Sequence, residues 1–169
     1  MRLSDLPFIR RTRQHHAIEH ATISILTRRD PGRRLVARSD PGGFQILGVV
    51  GLEDLRDAVE EALHRLQAGE ADLAIHPNCG TNIVTAGTIA GLVGVMVTAG
   101  PRRRWWDQLP LALLATTFAL LAAQPLGHLA QARITTLADV GEVRLSQIER
   151  RGWRDMPLHR VTFRRELLW

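Results

Sequence analysis

Apolar side chains recur at helical spacing in two stretches of the N-terminal half of the chain. Between residues 15 and 28, Ile18, Ala21 and Ile25 lie three or four positions apart and an Asp-Pro-Gly sequence follows, so we predict a first helix that ends there. Between residues 52 and 66, leucine and valine recur at the same spacing, with acidic residues in the first turn and a glycine after the last. This stretch predicts a second, amphipathic helix.

Six shorter stretches have the composition and the flanking turn residues that are typical of strands. The sequence SDPGG joins the first two, and GWRDMP joins the last two. We therefore predict an α+β fold, in which the strands form one sheet with the two helices. The predicted strands cover residues 35–39, 44–50, 71–76, 133–139, 142–148 and 159–167.

The middle of the chain is uncharged apart from one short segment. Residues 83–100 and 110–130 carry no charged side chain, and each stretch is about as long as a helix that crosses the hydrocarbon core of a bilayer. Between them lies PRRRWWDQ, whose arginine and tryptophan residues suit a turn among the lipid headgroups. We predict a two-helix transmembrane hairpin. The alternative, a hairpin buried in a soluble protein, needs a larger core than 169 residues readily supply.

This hairpin interrupts the small mixed α/β domain and gives the chain three parts. Residues 1–82 form the N-terminal part of the α+β domain, residues 83–130 form the hairpin, and residues 131–169 complete the domain with further strands. Along the first predicted span, Gly87, Gly91 and Gly94 form a face of small residues. We expect the lipid bilayer as a partner, and this face to pack against the second span, another membrane protein or a second copy of the chain.

The charge distribution bears on partners and on location. The net charge of +5 is spread along the chain without a basic stripe lined by aromatic residues, so we do not expect nucleic-acid binding. The single cysteine excludes an internal disulfide bond. The arginine-rich loop favours its own cytoplasmic placement, but residues 1–82 lack a signal sequence and carry eleven arginines, which argues against their export. We expect a multi-pass protein of a bacterial inner membrane with both termini in the cytoplasm.

The sequence HHAIEH, residues 15–20, holds three of the seven histidines of the chain. On a helix, His16 and His20 project from one face one turn apart, and Glu19 lies beside them, so the two imidazoles can bind one metal ion. The spacing His-x-x-Glu-His resembles the inverted zincin motif of pitrilysin-type and insulinase-type metallopeptidases. The resemblance covers five residues and implies zinc-binding histidines and a glutamate that acts as general base. Those enzymes take a further acidic ligand from a later helix, and this sequence has no clear counterpart to it.

The sequence HPNCGTN and the end of the second predicted span supply further ligand candidates. A hairpin returns to the side of the bilayer from which it started, so we expect His76, Cys79 and His128 near one membrane surface, together with the first helix. Three protein ligands would leave one position of a zinc ion open for water. We predict a zinc site in which the histidine pair of HHAIEH is joined by Cys79, with His76 or His128 as alternatives.

The motifs HAIEHA and HPNCGTN, followed by a two-helix membrane segment, resemble a family of small uncharacterised membrane proteins of phototrophic bacteria. This resemblance spans most of the chain. It implies a shared architecture but no activity. The distribution of the family suggests that the chain is an accessory or assembly subunit of a larger, photosynthetic membrane complex, in which the histidines are structural or ligate a tetrapyrrole.

The residues also permit other chemistry. Cys79 stands at the predicted start of a helix, where the helix dipole and the exposed amides stabilise a thiolate, so it could act as a nucleophile with His76 as its base. The sequence leaves open whether the chain is an enzyme at all. If it is, we expect a zinc-dependent hydrolase of the metallopeptidase kind that acts near the bilayer.

Overall fold

The computed structural model of this protein describes residues 6–99, 104–152 and 157–165. The chain forms two compact units. The first, which we call the sheet unit, comprises Met1–His76 and Ile134–Trp169, and the second, the helical unit, comprises Pro77–Arg133. Helices and one antiparallel sheet make up the described residues, so the predicted α+β class is confirmed.

The sheet unit contains two long helices and four strands. The helices are α1 (Pro7–Arg29) and α2 (Leu52–Gln67), and the strands are β1 (Val36–Asp40), β2 (Gly43–Leu47), β3 (Val143–Arg151) and β4 (Leu158–Arg165). The strand order is β1-β2-β4-β3, and each neighbouring pair is antiparallel. Both predicted helices are confirmed, although α1 begins eight residues before the predicted start, and both pack against the sheet.

Side-chain alternation along the two central strands directs one face of the sheet into the core. Phe44, Ile46 and Val161 are fully buried and belong to one hydrophobic cluster with Ile18 of α1 and Leu55 of α2. Burial of one such side chain stabilises a fold by about 1.5–3 kcal/mol. The apolar faces that predicted the two helices therefore also hold them on the sheet.

Strand β2 ends at Leu47, three residues earlier than predicted, because the backbone turns at Gly48. The φ angle of Gly48 is +143°, a conformation that residues with a side chain rarely adopt. A Cβ atom at this position would lie 2.6 Å from the carbonyl oxygen of Arg34. Only glycine therefore fits at the end of this strand.

Two of the six predicted strands are wrong. Residues 71–76 contain the short 3₁₀ helix Ala71–Ala74, which packs on α1 and buries Leu73. The composition of this stretch suggested a strand, but one tight turn buries Leu73 without a strand partner. Residues 133–139 begin in the π-helical turn Gln131–Thr135 and continue without regular structure. The other four strands are confirmed to within a few residues, and residues 153–156 of the predicted turn GWRDMP lie outside the described residues.

The described part of the helical unit contains three helices, and the π-helical turn Gln131–Thr135 continues from it into the sheet unit. The helices are α3 (Gly80–Thr98), α4 (Trp105–Ala122) and α5 (Gln124–Ala130). α3 packs against both of the others, and glycine permits each contact. A Cβ atom at Gly94 would lie 3.2 Å from Cγ2 of Thr116 on α4, and one at Gly127 on α5 would lie 2.6 Å from Oδ1 of Asn82.

The predicted packing face of α3 is only partly used. Gly94 contacts the second helix as predicted, but a Cβ atom at Gly87 or Gly91 would meet no described atom within 4 Å. Of the three glycines of this face, Gly94 is therefore the one that lies against α4 among the described residues.

One described helix, α3, is long and apolar enough to cross a membrane. The segment from residue 106 to residue 135 passes the same test only if α4 and the residues after it count as one span, and that span is bent by 43°. The predicted two-helix transmembrane hairpin and multi-pass location are therefore not confirmed. Residues 100–103 of the predicted arginine-rich turn lie outside the described residues, and α4 already begins at Trp105.

Candidate metal centre

Helix α1 carries the histidine pair. The rings of His16 and His20 have their centroids 4.2 Å apart, with an angle of 62° between the ring planes. Ala17, Ile18 and Ala21 of the same helix are fully buried, so the apolar core fixes the rotation of the helix and with it the direction of the two rings. His20 is buried and His16 is half-buried. The structure thus brings together the two histidines that the motif predicts as ligands.

A backbone carbonyl group holds each of the two rings. Nδ1 of His20 lies 2.7 Å from the carbonyl oxygen of Ala74, and Nδ1 of His16 lies 3.0 Å from that of Thr135. A carbonyl oxygen only accepts hydrogen bonds, so each Nδ1 carries a hydrogen and donates it. In the neutral ring the lone pair then lies on Nε2. Proteins orient metal-binding histidines by this kind of outer hydrogen bond.

The predicted ligand His76 lies beside the pair. Its ring centroid is 5.8 Å from that of His20, and the two ring planes are tilted by 44°. His76 follows the 3₁₀ helix that supplies the carbonyl group of Ala74. The short segment that the sequence wrongly predicts as a strand therefore both orients one histidine and places another next to it.

Glu19, the predicted general base, is buried and contacts the sheet. Its Oε2 atom accepts a hydrogen bond from the hydroxyl group of Ser39 in β1. The next residue along β1, Asp40, accepts a hydrogen bond from Nδ1 of His15 through its carbonyl oxygen at 2.8 Å. His15 and Glu19, four residues apart, therefore both bond to β1, whereas His16 and His20 bond to Thr135 and Ala74.

The motif HHAIEH indicates no role for its first histidine, His15. The structure shows it buried, with its ring stacked on that of Phe163 in β4 at a centroid distance of 5.0 Å. Burial is the main cause that lowers the pKa of His15, the charge of Arg165 lowers it further, and the hydrogen bond to Asp40 opposes both. The signal that could have identified it is its position four residues before Glu19, which puts both on the face of α1 that meets the sheet.

Cys79 belongs to the helical unit and is the N-cap residue of α3. Its sulfur atom accepts a hydrogen bond from the backbone amide of Thr81 at 3.4 Å, and its side chain is buried. Cys79 follows His76 by three residues, so their Cα atoms are at most about 11 Å apart. His128, the other candidate of the helical unit, is exposed on α5.

The possible metal ligands include two kinds of donor. His16, His20 and Cys79 each offer one atom that can bind a metal ion, an imidazole nitrogen or the thiol sulfur. Such a mixed nitrogen and sulfur set is typical of zinc and of other transition metals, whereas magnesium and calcium prefer oxygen ligands. The donor types therefore fit a transition metal.

The profile of a family described as "Domain of unknown function (DUF6391)" matches residues 11–148. The chain belongs to this family. It is 40% identical over 144 residues to an uncharacterised protein of Picosynechococcus sp. (strain ATCC 27264 / PCC 7002 / PR-6), an alignment that covers 79% of this chain and 68% of the relative. No solved structure matches the chain.

The DUF6391 match includes both histidine motifs and the whole helical unit. Membership of an uncharacterised family, as predicted, is confirmed. It assigns no chemistry to any residue, so the likeness of HHAIEH to the inverted zincin motif stays a prediction. The candidate site of this DUF6391 protein is accordingly defined by its own geometry.

A cavity of about 560 Å³ in the sheet unit is separate from these residues. It lies between α2 and the start of β3, and Leu63, Leu66 and Val143 contribute apolar parts of its lining. None of the predicted site residues lines it. We therefore locate the candidate chemistry at α1.

Proposed function

We propose that the chain is a metal-binding membrane protein in which His16, His20 and Cys79 hold one zinc ion. The observation that carries this proposal is the hydrogen bond from each Nδ1 of the histidine pair to a backbone carbonyl group. Because these bonds leave the lone pairs on Nε2 of residues one helical turn apart, two of the ligand atoms are already oriented. Two imidazoles and a thiolate form a set that zinc accepts, with a fourth position for water or substrate.

The chain connectivity supports Cys79 as the third ligand. It lies three residues after His76, whose ring centroid is 5.8 Å from that of His20, so the Cα atoms of Cys79 and His76 are at most about 11 Å apart. The amide of Thr81 donates a hydrogen bond to the sulfur, which favours the thiolate form that binds metals. His76 is the alternative third ligand.

We further propose that the site catalyses hydrolysis. A bound zinc ion would supply Lewis-acid activation of a water molecule. Glu19 would accept the proton of that water, and the hydroxyl group of Ser39 would orient its carboxylate. The substrate would be a peptide or another carbonyl compound at the membrane surface.

The helices of the helical unit expose large apolar side chains, which supports the proposed membrane location. Few residues of α3 are buried, and large apolar side chains such as Ile83 and Met96 are 71% and 78% exposed. On α4, Leu113 and Phe118 are 61% and 69% exposed. Apolar surface of this extent on both helices is unfavourable in water and matches the acyl chains of a bilayer. We propose that α3 forms one span, that α4 with the bent segment after it forms another, and that both termini are cytoplasmic.

Metal analysis of the purified full-length protein tests the zinc site. We expect close to one equivalent of zinc per chain, and less than one tenth after the substitution His20→Ala or Cys79→Ser, because each removes a ligand. The matched control is His64→Ala, which removes an exposed histidine from another helix, α2, and should leave the metal content unchanged. A wild-type protein that has its native circular dichroism but binds no transition metal contradicts the proposal.

Extraction of membranes tests the proposed spans. We expect the full-length protein to stay in the pellet after washing with alkaline carbonate and to be released only by detergent, because apolar helices resist transfer to water. Protease treatment of inside-out vesicles, which expose the cytoplasmic surface, should then cleave the sheet unit. Release of the intact protein by carbonate would rule out a span.

A further inference from the structure

Three arginine side chains meet at the beginning of α1. Arg10 and Arg11 lie in its second turn, and both are exposed. The guanidinium group of Arg165, at the end of β4, donates a hydrogen bond to Oε1 of Gln14, which is one helical turn after the other two. The pKa of Arg165 is lowered from its ordinary value by partial desolvation and then by the positive charges of Arg11 and Arg10, so both charges lie close enough to Arg165 to act on it.

A buried side chain, Gln14, holds Arg165 in place beside α1. Gln14 is 2% exposed, and besides binding Arg165 it donates a hydrogen bond from Nε2 to the carbonyl oxygen of Asp139 at 2.7 Å. A buried amide with both of its ends bonded has one orientation, so it fixes the guanidinium group of Arg165 beside α1. Arg165 is therefore preorganised for an anion, which the nearby positive charges of Arg10 and Arg11 would also attract.

The described residues supply little negative charge near these three arginines. The carboxylate of Asp139 lies 3.9 Å from Arg10, but both side chains are more than half exposed, so water weakens this ion pair. The first turn of α1 contains no acidic residue. The three guanidinium groups and the carboxylate of Asp139 together leave this site with a net positive charge.

An exposed aromatic residue accompanies the arginines. Phe8, in the first turn of α1, is 57% exposed. Exposed aromatic rings next to basic side chains are typical of segments that contact the headgroup region of a membrane. A free inorganic anion would use the arginines alone, whereas a lipid explains both features.

We propose that Arg10, Arg11 and Arg165 bind the phosphate group of an anionic phospholipid, with Phe8 against its glycerol or acyl portion. This inference rests on the proposed membrane location. The net negative charge of the lipid distinguishes it from zwitterionic phosphatidylcholine, and arginine can bind its phosphate oxygens with two parallel hydrogen bonds.

Native mass spectrometry of the full-length protein released from detergent tests this site, with phosphatidylglycerol and phosphatidylcholine supplied at equal concentration. We expect the wild-type protein to retain phosphatidylglycerol preferentially. The double substitution Arg10→Ala and Arg11→Ala should lower this retention about tenfold or more, since each basic residue contributes to anionic-lipid binding. This variant keeps the bond between Arg165 and Gln14, and Arg165→Gln provides a second variant. The matched control, Arg38→Ala with Arg56→Ala, removes two exposed arginines elsewhere on the sheet unit and should retain the lipid.

Three results would overturn the proposal. The first is equal retention of the two lipids by the wild-type protein, and the second is equal loss in the control variant. The third is binding of inorganic phosphate with the same arginine dependence but without preference between the lipids, which would indicate a soluble anion. Carbonate extraction of the same samples reports on the spans separately, so a failure of the membrane proposal is distinguishable from a failure of the lipid site.

Discussion

Two backbone carbonyl groups orient the rings of His16 and His20, because each accepts a hydrogen bond from Nδ1 of one ring. The sequence predicts the spacing of the two rings, because residues four apart share a face of any helix. It does not predict the groups that orient them. The carbonyl groups of Ala74 and Thr135 come from distant parts of the chain and carry no side-chain signature.

The substitution Glu19→Gln separates catalysis from metal binding. A glutamine fills the same space and can still accept the hydrogen bond of Ser39, but it cannot take a proton. We expect the variant to keep its zinc and to lose about 10²- to 10⁴-fold of any peptide hydrolysis, the usual contribution of a general base. The assay is cleavage of a fluorogenic peptide mixture in detergent, with metal content measured on the same sample. If metal is lost together with activity, Glu19 has a structural role.

His159 predicts a pH dependence of stability. It is 1% exposed on β4, its Nδ1 atom has no hydrogen-bond partner among the described residues, and burial lowers its pKa, as does the charge of Arg150. The unfolded chain takes up a proton near pH 6.5 and the folded chain does so only at lower pH, so this contribution is fully present above pH 6.5. It is lost as the pH falls from there toward the folded pKa, with a slope of at most about 1.4 kcal/mol per pH unit.

Urea denaturation of the full-length protein between pH 8 and pH 5 measures this effect. His159→Leu should reduce the slope and raise the free energy of unfolding by about 1 kcal/mol at neutral pH, because it removes a buried polar atom without a partner. His64→Leu, at an exposed position on α2, is the comparison and should keep the slope. An unchanged slope in the His159 variant would show that other groups govern the pH response.

At the scale of elements, sequence periodicity was reliable for long helices and poor for short segments. α1 and α2 each present several apolar residues to the core, so the helical repeat is visible over three turns or more. The segment from residue 71 to residue 76 is too short to distinguish a strand from a 3₁₀ turn, and only its contact with α1 decides the outcome. Composition likewise indicated two apolar stretches but not the bend between α4 and α5.

The turn after β2 offers a direct test of element boundaries. Replacement of Gly48 by alanine should lower the free energy of unfolding by about 2–4 kcal/mol, because the added Cβ atom meets the carbonyl oxygen of Arg34 and the backbone conformation is strained. Gly51→Ala is the matched control, since Gly51 has a negative φ angle and a Cβ atom there meets nothing within 4 Å of it among the described residues. Equal effects of the two substitutions on urea denaturation would show that the steric contact is unimportant.

At the scale of the whole molecule, the sequence predicted the α+β class and an interrupted chain but not the order of the strands. The sheet unit takes its residues from both sides of the helical unit. Local patterns identify β2 and β4 separately, yet no local signal shows that Phe44 pairs with Val161. The proposed metal ligands present the same difficulty, because the roles proposed for His76 and Cys79 depend on groups far from them in sequence.

Of the four described strands, β4 is synthesised last, and it lies between β2 and β3 in the finished sheet. Until β4 emerges from the ribosome, one edge of β2 has no strand partner. The core residue Phe44 then lacks its pairing with Val161. All of α3, α4 and α5 has by then been translated. Insertion of the proposed spans into lipid would therefore begin while the sheet unit is still incomplete, and loading of the proposed zinc site would be a late event in the maturation of this chain.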